Sequence, residues 1–84
     1  MSELGIKMIE YVVQEIMGRR DARIDENTPL VSSGLIDSLA LVDILFKLEE
    51  LTNTRIPAGK VQAKDLDTVE LMFRTAHRVG KPRK

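Results

Sequence analysis

The sequence predicts a small all-α domain. Several segments repeat apolar residues with a period of about 3.6 residues, and no segment shows the alternation of a half-buried strand. A chain of 84 residues is long enough for one compact domain with a modest core, and a deep catalytic cleft is not expected. We expect this domain to span residues 1–80 and the basic tail, residues 81–84, to be disordered.

The first helix is predicted to run from Ser2, which can cap it, to Gly18, which stops it. Its apolar stripe consists of Ile6, Ile9, Val13, Ile16 and Met17. The next segment, residues 19–34, is rich in charged residues, Asn, Pro, Ser and Gly, and is therefore predicted to be a long ordered loop. The apolar anchors of this loop are Ala22, Ile24, Leu30 and Val31.

The second helix is predicted to begin at Asp37 or Ser38 and to end near Thr52. Asp37 can cap it, and neither Gly nor Pro interrupts it before the segment "NTRIP". At about 100° per residue, one broad arc of this helix forms an ordinary core face. The residues of that face are Leu41, Ile44, Leu45, Leu48 and Leu51.

The opposite side of the second helix carries a narrower apolar stripe. This stripe consists of Leu39, Val42 and Phe46, and the acidic residues that flank it are Asp43, Glu49 and Glu50. A helix in so small a domain is hard to bury on both faces, so we predict that the stripe contacts a partner. The alternative is that the long loop or the last helix covers it.

The last helix is predicted to start at Asp67, because Glu70 follows at capping-box spacing. Its apolar stripe consists of Val69, Met72, Phe73, Ala76 and Val79. The segment "AGKVQAKDL" between the second and last helices has room for one short helical turn.

The charges cancel over the whole chain but not along it. The 13 basic and 13 acidic residues argue against a protein whose main role is to bind nucleic acid. Residues 34–54 carry one base and four acids, whereas residues 55–84 carry eight bases and three acids. The chain has no cysteine, so any thiol chemistry must be imported. No uncharged run has the length of a membrane helix, and we expect a cytoplasmic monomer.

Ser38 lies where a polar loop changes into an apolar run. Taken alone, the pair Asp37 and Ser38 before such a run is the pattern of a helix cap. An exposed hydroxyl at a helix N-terminus is also a favourable place for an attached phosphate, because free backbone N–H groups and the helix dipole both favour negative charge there. The residues alone leave both interpretations open.

The segment "GLIDSLALVDILFKLEE" resembles the attachment segment of acyl carrier proteins and peptidyl carrier proteins, with Asp37, Ser38 and Leu39 matching their "DSL" signature. The resemblance covers nearly the whole chain, including "TPL" in the loop, "RIP" after the second helix and "DLDTVELM" at the start of the last one. It implies a four-helix bundle of the acyl-carrier type with a short third helix. It also implies a 4′-phosphopantetheine arm, made from coenzyme A and joined to Ser38 through a phosphodiester.

The resemblance further implies a non-catalytic carrier that presents an acyl or aminoacyl group, bound as a thioester, to enzymes of fatty acid or secondary metabolite biosynthesis. Its partners would be a phosphopantetheinyl transferase, a loading enzyme and downstream acyl-using enzymes. In the family, the acid before the serine helps the transferase to recognise the carrier, a role that falls to Asp37. The family's partner-facing positions match Leu39, Val42, Asp43, Phe46, Glu49 and Glu50.

The sequence also departs from the fatty-acid carriers of this family. Ala40 stands where they usually have an acid, Lys47 adds a positive charge beside the stripe, and the C-terminal third is basic. The "GLIDSL" form is more similar to free-standing carriers of aminoacyl groups, including the D-alanyl type, or of specialised acyl chains.

Three rival interpretations follow from the residues. A helical interaction module without a prosthetic group would use the stripe for docking and Ser38 only as a cap. A basic tail could bind nucleic acid, which we rank lowest. An enzyme is rejected, because the single histidine, His77, lies among charged residues and the carboxylate pairs, such as Asp65 with Asp67, are common on helix surfaces. No second histidine exists to complete a metal pair, so no metal site is expected.

Overall fold

The computed structural model describes residues 3–18 and 23–82, and it is mostly helical. Its helices are α1 (Glu3–Tyr11), α2 (Ala40–Thr52) and α3 (Val69–Val79). A π-helical turn, Val12–Ile16, continues α1, and 3₁₀ turns at Ala58–Lys60 and Ala63–Leu66 connect α2 to α3. The predicted helical fold class is confirmed, and the single short turn expected after α2 is replaced by these 3₁₀ turns. None of the described helices combines the length and the hydropathy of a membrane span.

The core is built from all the α-helices and from the long loop. Its buried members are Met8, Val12, Leu30, Ile36, Ile44, Leu48, Ile56, Leu66, Val69, Met72 and Ala76. Leu30, near the end of the long loop, and Ile36, just after it, are both buried, so core packing holds this part of the chain. The predicted core face of α2 and the predicted stripe of α3 are both confirmed.

The predicted stripe of the first helix is only partly right. Ile6 is 47% exposed, whereas Met8 and Val12 are fully buried. Gly5, Met8 and Val12 form a second face at spacings of three and four residues, and this face competes with the predicted one. The predicted cap, Ser2, lies outside the described residues, and Gly18 takes a positive φ of 65° where the helical segment ends.

The described part of the long loop forms hydrogen bonds within itself and one hydrogen bond to α3. Asp25 Oδ1 accepts the N–H of Asn27 at 2.8 Å and the hydroxyl of Thr28 at 3.1 Å, which closes a local turn. The Glu26 carbonyl accepts the N–H of Glu70, one of the free donors in the first turn of α3. Ala22, one of the predicted anchors, lies outside the described residues.

Helix α2 is capped by Asp37 as predicted, but it begins two residues later than the predicted start at Ser38. The helix begins at Ala40, and Asp37 and Ser38 lie in a turn before it. Asp37 still acts as a cap, because its Oδ1 accepts the N–H of Ala40 at 3.1 Å. At the other end, Asn53 adopts a left-handed conformation with φ 53°, which stops the helix.

The predicted start of α3 is wrong. Thr68 is the N-cap residue, and its hydroxyl accepts the N–H of Leu71 at 3.0 Å. Asp67 instead directs its carboxylate to the long loop, so no capping box forms with Glu70. A capping box does form at the second 3₁₀ turn, between Gln62 and Asp65.

The first residues of the tail are ordered, contrary to the prediction. Strand β1 (Thr54–Arg55) pairs antiparallel with strand β2 (Lys81–Pro82), so the C-terminal ends of α2 and α3 lie next to each other. Gly80 is required at this junction, because a Cβ there would collide with the Ala76 carbonyl oxygen. Residues 83 and 84 lie outside the described part of the chain.

Candidate functional site

Ser38 lies in an exposed turn directly before α2. Its carbonyl accepts the N–H of Leu41 at 3.3 Å, which holds the backbone of the turn. Its hydroxyl makes no hydrogen bond within residues 3–18 and 23–82. The interpretation of Ser38 as the cap of α2 is therefore wrong, because the capping bond comes from Asp37 and leaves the Ser38 hydroxyl available to solvent.

The backbone before Ser38 is held by a closed loop, residues 30–36. The N–H of Ile36 donates to the Leu30 carbonyl at 3.1 Å, and both side chains are buried in the core. Inside this loop, Gly34 has a φ of 81°, and its N–H donates to the Val31 carbonyl at 3.0 Å. A residue with a Cβ would be strained at that φ, which explains the glycine four residues before Ser38.

The carboxylate of Asp67 binds the first part of the same loop. Its Oδ1 accepts backbone N–H groups from Val31 at 2.8 Å, from Ser32 at 2.9 Å and, at 3.2 Å, from Leu30. Its Oδ2 accepts the Ser32 hydroxyl at 2.8 Å. These bonds connect the start of α3 to residues 35 to 37 positions earlier in the sequence. Hydrogen bonds to an ionised acceptor are stronger than those between neutral groups, so the carboxylate holds the loop firmly. We call this set of hydrogen bonds the Asp67 clamp.

The Asp67 clamp gives the fold a specific dependence on pH. The hydrogen bonds from Ser32 hold the pKa of Asp67 below its usual value of 3.8, and partial burial opposes this effect. Because the folded pKa lies below the unfolded one, the ionised clamp contributes its full stability above about pH 4 and loses it as the pH falls through the folded pKa.

We therefore expect Asp67→Asn to lower the free energy of unfolding near pH 6 more than near pH 2. Urea denaturation of both proteins at the two pH values measures this difference, and an equal loss at both would contradict it.

The second apolar stripe of α2 faces solvent. Leu39 is 82% exposed, Phe46 is 64% exposed and Val42 is 57% exposed. The alternative that the loop or the last helix covers this stripe is therefore excluded within the described chain. Leu35, 42% exposed, is a further apolar side chain near Ser38 that sequence analysis missed, because a loop residue belongs to no helical period.

The acidic residues beside this stripe differ in their contacts. Asp43 is exposed, and Glu50 forms an ion pair with Lys47 at 2.8 Å on the surface. Glu49 departs from the expected solvent-facing role, because it is half-buried and its Oε2 accepts the N–H of Ile56 at 2.7 Å. This carboxylate thus connects the C-terminal part of α2 to Ile56, the residue directly after β1. Helical periodicity does not predict such a contact, because Ile56 lies outside the helix.

Lys47, the departure noted beside the stripe, also contacts α1. Its Nζ lies 5.5 Å from the centre of the Tyr11 ring, a cation–π distance. Partial burial raises the pKa of Tyr11, and the carboxylate of Asp43 raises it further. The hydrogen bond to Glu50 raises the pKa of Lys47, so this side chain stays charged and partly offsets the acidic rim.

Among the residues that the structure describes, no group of three His, Cys, Asp or Glu side chains is placed to hold a metal ion. His77 is exposed on α3, as expected for a solvated side chain.

The family comparison decides the class of this site. The family model described as "Phosphopantetheine attachment site" matches residues 9–72, well over half of the chain. The chain belongs to this family. Its prosthetic group is 4′-phosphopantetheine, and the protein is a non-catalytic carrier of the acyl and peptidyl carrier type. Comparisons with curated proteins and with solved structures gave no match.

The residues of this phosphopantetheine carrier fit the group. When bound, 4′-phosphopantetheine supplies the thiol that the chain itself lacks. Attachment needs a hydroxyl that solvent and a modifying enzyme can reach, and the Ser38 hydroxyl is exposed and free of hydrogen bonds within the described chain. Of the two residues before Ser38, Ile36 is held by burial in the core and Asp37 by its capping bond to the Ala40 N–H.

Proposed function

We propose that Ser38 carries the 4′-phosphopantetheine arm and that the chain presents an acyl or aminoacyl group to partner enzymes. The observation that supports this role is the exposed Ser38 hydroxyl, free of hydrogen bonds within the described residues, in the "DSL" sequence inside the family match. Ser32, by contrast, donates its hydroxyl to Asp67, and Ser33 donates to the Pro29 carbonyl. Ser38 is therefore the serine best placed for attachment in this region.

The attachment step is a phosphoryl transfer from coenzyme A. A bond forms between Ser38 Oγ and the phosphorus next to pantetheine. The bond from that phosphorus to the bridging oxygen breaks, and adenosine 3′,5′-bisphosphate leaves with the electron pair. The proton of the hydroxyl passes to a base of the phosphopantetheinyl transferase, since the described chain places no base in hydrogen-bond contact with this hydroxyl.

The proposal is tested with the intact chain, coenzyme A and a broad-specificity phosphopantetheinyl transferase. We expect the chain to gain the mass of one phosphopantetheine, and peptide mapping to place that mass on the peptide that contains Ser38. A helical interaction module without a prosthetic group would gain no mass. That result would leave the exposed stripe as a docking surface only.

We propose a small cargo, either an aminoacyl group or a specialised short acyl chain. The "GLIDSL" form and Ala40 support this preference on the sequence side. On the structural side, a shallow apolar pocket of about 140 Å³ lies beside the start of α2, with Leu41, Leu45 and Leu66 in its lining. Its apolar lining would contact a short acyl chain or an apolar aminoacyl group.

We propose that partner enzymes recognise α2 through its exposed stripe and through charge. The apolar contact would come from Leu39, Val42 and Phe46, and the charged contact from Asp37, Asp43 and Glu50. Glu49 is a weaker candidate, because it is half-buried, whereas the other three acids are exposed. The apolar side chains would supply contact area, whereas the exposed carboxylates would guide a basic surface of the partner toward Ser38.

The charged part of this surface can be tested by neutralising Asp43 and Glu50. Exposed charges act over roughly 10 Å in ordinary salt, so they mainly change the rate of association. We expect Asp43→Asn/Glu50→Gln to slow modification of Ser38 by about tenfold at low salt and much less at high salt. The matched control is Glu3→Gln/Glu10→Gln, which removes the same charge from α1. Equal rates for the two double variants at low salt would show that the acidic rim does not guide the transferase.

A further inference from the structure

We propose that Asp67 is a positioning residue for the modification of Ser38. This inference rests on the proposed attachment at Ser38. The hydrogen bonds that the Asp67 carboxylate makes within the described residues go to Leu30, Val31 and Ser32, and Asp67 acts by holding these residues in the arrangement that places the turn at Ser38.

The loop depends on Asp67 for its polar contacts. The N–H groups of Val31 and Ser32 find their protein acceptor in Asp67 Oδ1, and the Ser32 hydroxyl finds it in Oδ2. The Leu30 N–H donates mainly to the Asp67 backbone carbonyl at 2.7 Å. Without the carboxylate, Val31 and Ser32 would lose the partners that fix their orientation, while Leu30 would keep one.

Asp67 itself is well anchored. It directly precedes Thr68, the N-cap of α3, and Val69 and Met72 of that helix are buried in the core. The clamp therefore connects the loop to a helix that is packed into the core. A loosened clamp would free the loop rather than move α3.

The effect reaches Ser38 through a short series of contacts. The Leu30 carbonyl accepts the N–H of Ile36, and the Ile36 side chain is buried. Asp37 then caps α2, and Ser38 follows it in the turn. A change in residues 30–32 therefore reaches Ser38 through the closed loop of seven residues, 30–36, and through Asp37.

A positioning role and a purely stabilising role predict different kinetics. A partner that binds one loop arrangement sees its apparent affinity reduced by the fraction of molecules in that arrangement. Loss of the clamp should therefore raise the KM of the transferase for the carrier and leave kcat nearly unchanged. A change that only lowers stability leaves the folded molecules, and hence KM, as they were.

The experiment compares wild-type protein with Asp67→Asn, which removes the charge and keeps the shape. We expect the KM for modification to rise by about fivefold to tenfold with little change in kcat. Hydrogen exchange supplies a readout that does not involve the transferase. The amide of Leu48 in the core of α2 reports global unfolding, and the amides of Val31, Ser32 and Ile36 should gain exchange rate by a larger factor than Leu48 does in the variant.

The matched control is Thr52→Val, which removes hydroxyl bonds to the Leu48 carbonyl and to Thr54 at the far end of α2. This variant should lose stability and keep the wild-type KM. A second variant, Ser32→Ala, removes only the bond to Oδ2 and should raise KM by about twofold, so the test survives if Asp67→Asn folds poorly.

An unchanged KM in both loop variants, or an equal rise in Thr52→Val, would overturn the positioning role. If wild-type protein is not modified at all, the proposed attachment at Ser38 fails first. If wild-type protein is modified and the loop variants are modified identically, only the role of Asp67 fails. The outcomes therefore separate the two proposals.

Discussion

Ser38→Ala is expected to abolish attachment of phosphopantetheine and to leave the fold intact. The Ser38 hydroxyl is exposed and makes no hydrogen bond within the described residues, so its removal leaves no buried polar group without a partner. Asp37 continues to cap α2 in the variant, because its bond to the Ala40 N–H does not involve Ser38. Intact-mass measurement after incubation with coenzyme A and the transferase should detect no added mass. Circular dichroism should show unchanged helicity, and the free energy of unfolding should change by less than about 0.5 kcal/mol.

The matched control is Ser33→Ala, five residues earlier in the same loop. Ser33 donates its hydroxyl to the Pro29 carbonyl, so this variant should lose a little stability and still gain one phosphopantetheine. Added mass on Ser38→Ala would place the attachment elsewhere. Loss of helicity in Ser38→Ala would show that the hydroxyl is structural, which its exposure and lack of partners argue against.

The two faces of α2 could be predicted because a helix repeats regularly. Ile44 and Leu48 fall on the core face at a spacing of four residues, and both are fully buried. The same period separates Leu39, Val42 and Phe46 from them, and these side chains are exposed. Only local sequence is needed for this distinction, since each turn of the helix fixes the direction of the next.

The Asp67 clamp could not be predicted, because its partners are distant in sequence. Asp67 stands at capping-box spacing before Glu70, so local rules favoured a helix cap. In the structure, Thr68 occupies the N-cap position instead. The Asp67 carboxylate is therefore available to the loop amides 35 to 37 residues earlier in the sequence. Glu49 shows the same limit, since its bond to Ile56 follows from a chain reversal and from no helical period.

The short strands escaped prediction for a different reason. A strand of two residues is too short for alternation, so Thr54–Arg55 and Lys81–Pro82 carry no period to detect. The clue that could have found them is Gly80, which allows the chain to pass close to the Ala76 carbonyl and Thr54. In sequence alone, this glycine before a basic tail is equally typical of a simple helix stop.

Leu48→Ala is expected to destabilise the protein far more than Phe46→Ala, although phenylalanine loses more atoms. Leu48 is fully buried, and deletion of a buried leucine typically costs about 2 to 5 kcal/mol, because apolar contact is lost and a cavity remains. Phe46 is 64% exposed, so its removal should cost less than about 1 kcal/mol. Urea denaturation at neutral pH compares the two free energies of unfolding directly.

The same two variants also separate folding from recognition. Leu48→Val, a milder change, gives a measurable value if Leu48→Ala is too unstable to analyse. Phe46→Ala should keep its stability and still be modified more slowly by the transferase, because Phe46 belongs to the exposed stripe proposed to contact partners. If Phe46→Ala instead loses as much stability as Leu48→Ala, the stripe is part of the core. In that case the partner surface must be sought around Leu35, the exposed apolar side chain in the loop before Ser38.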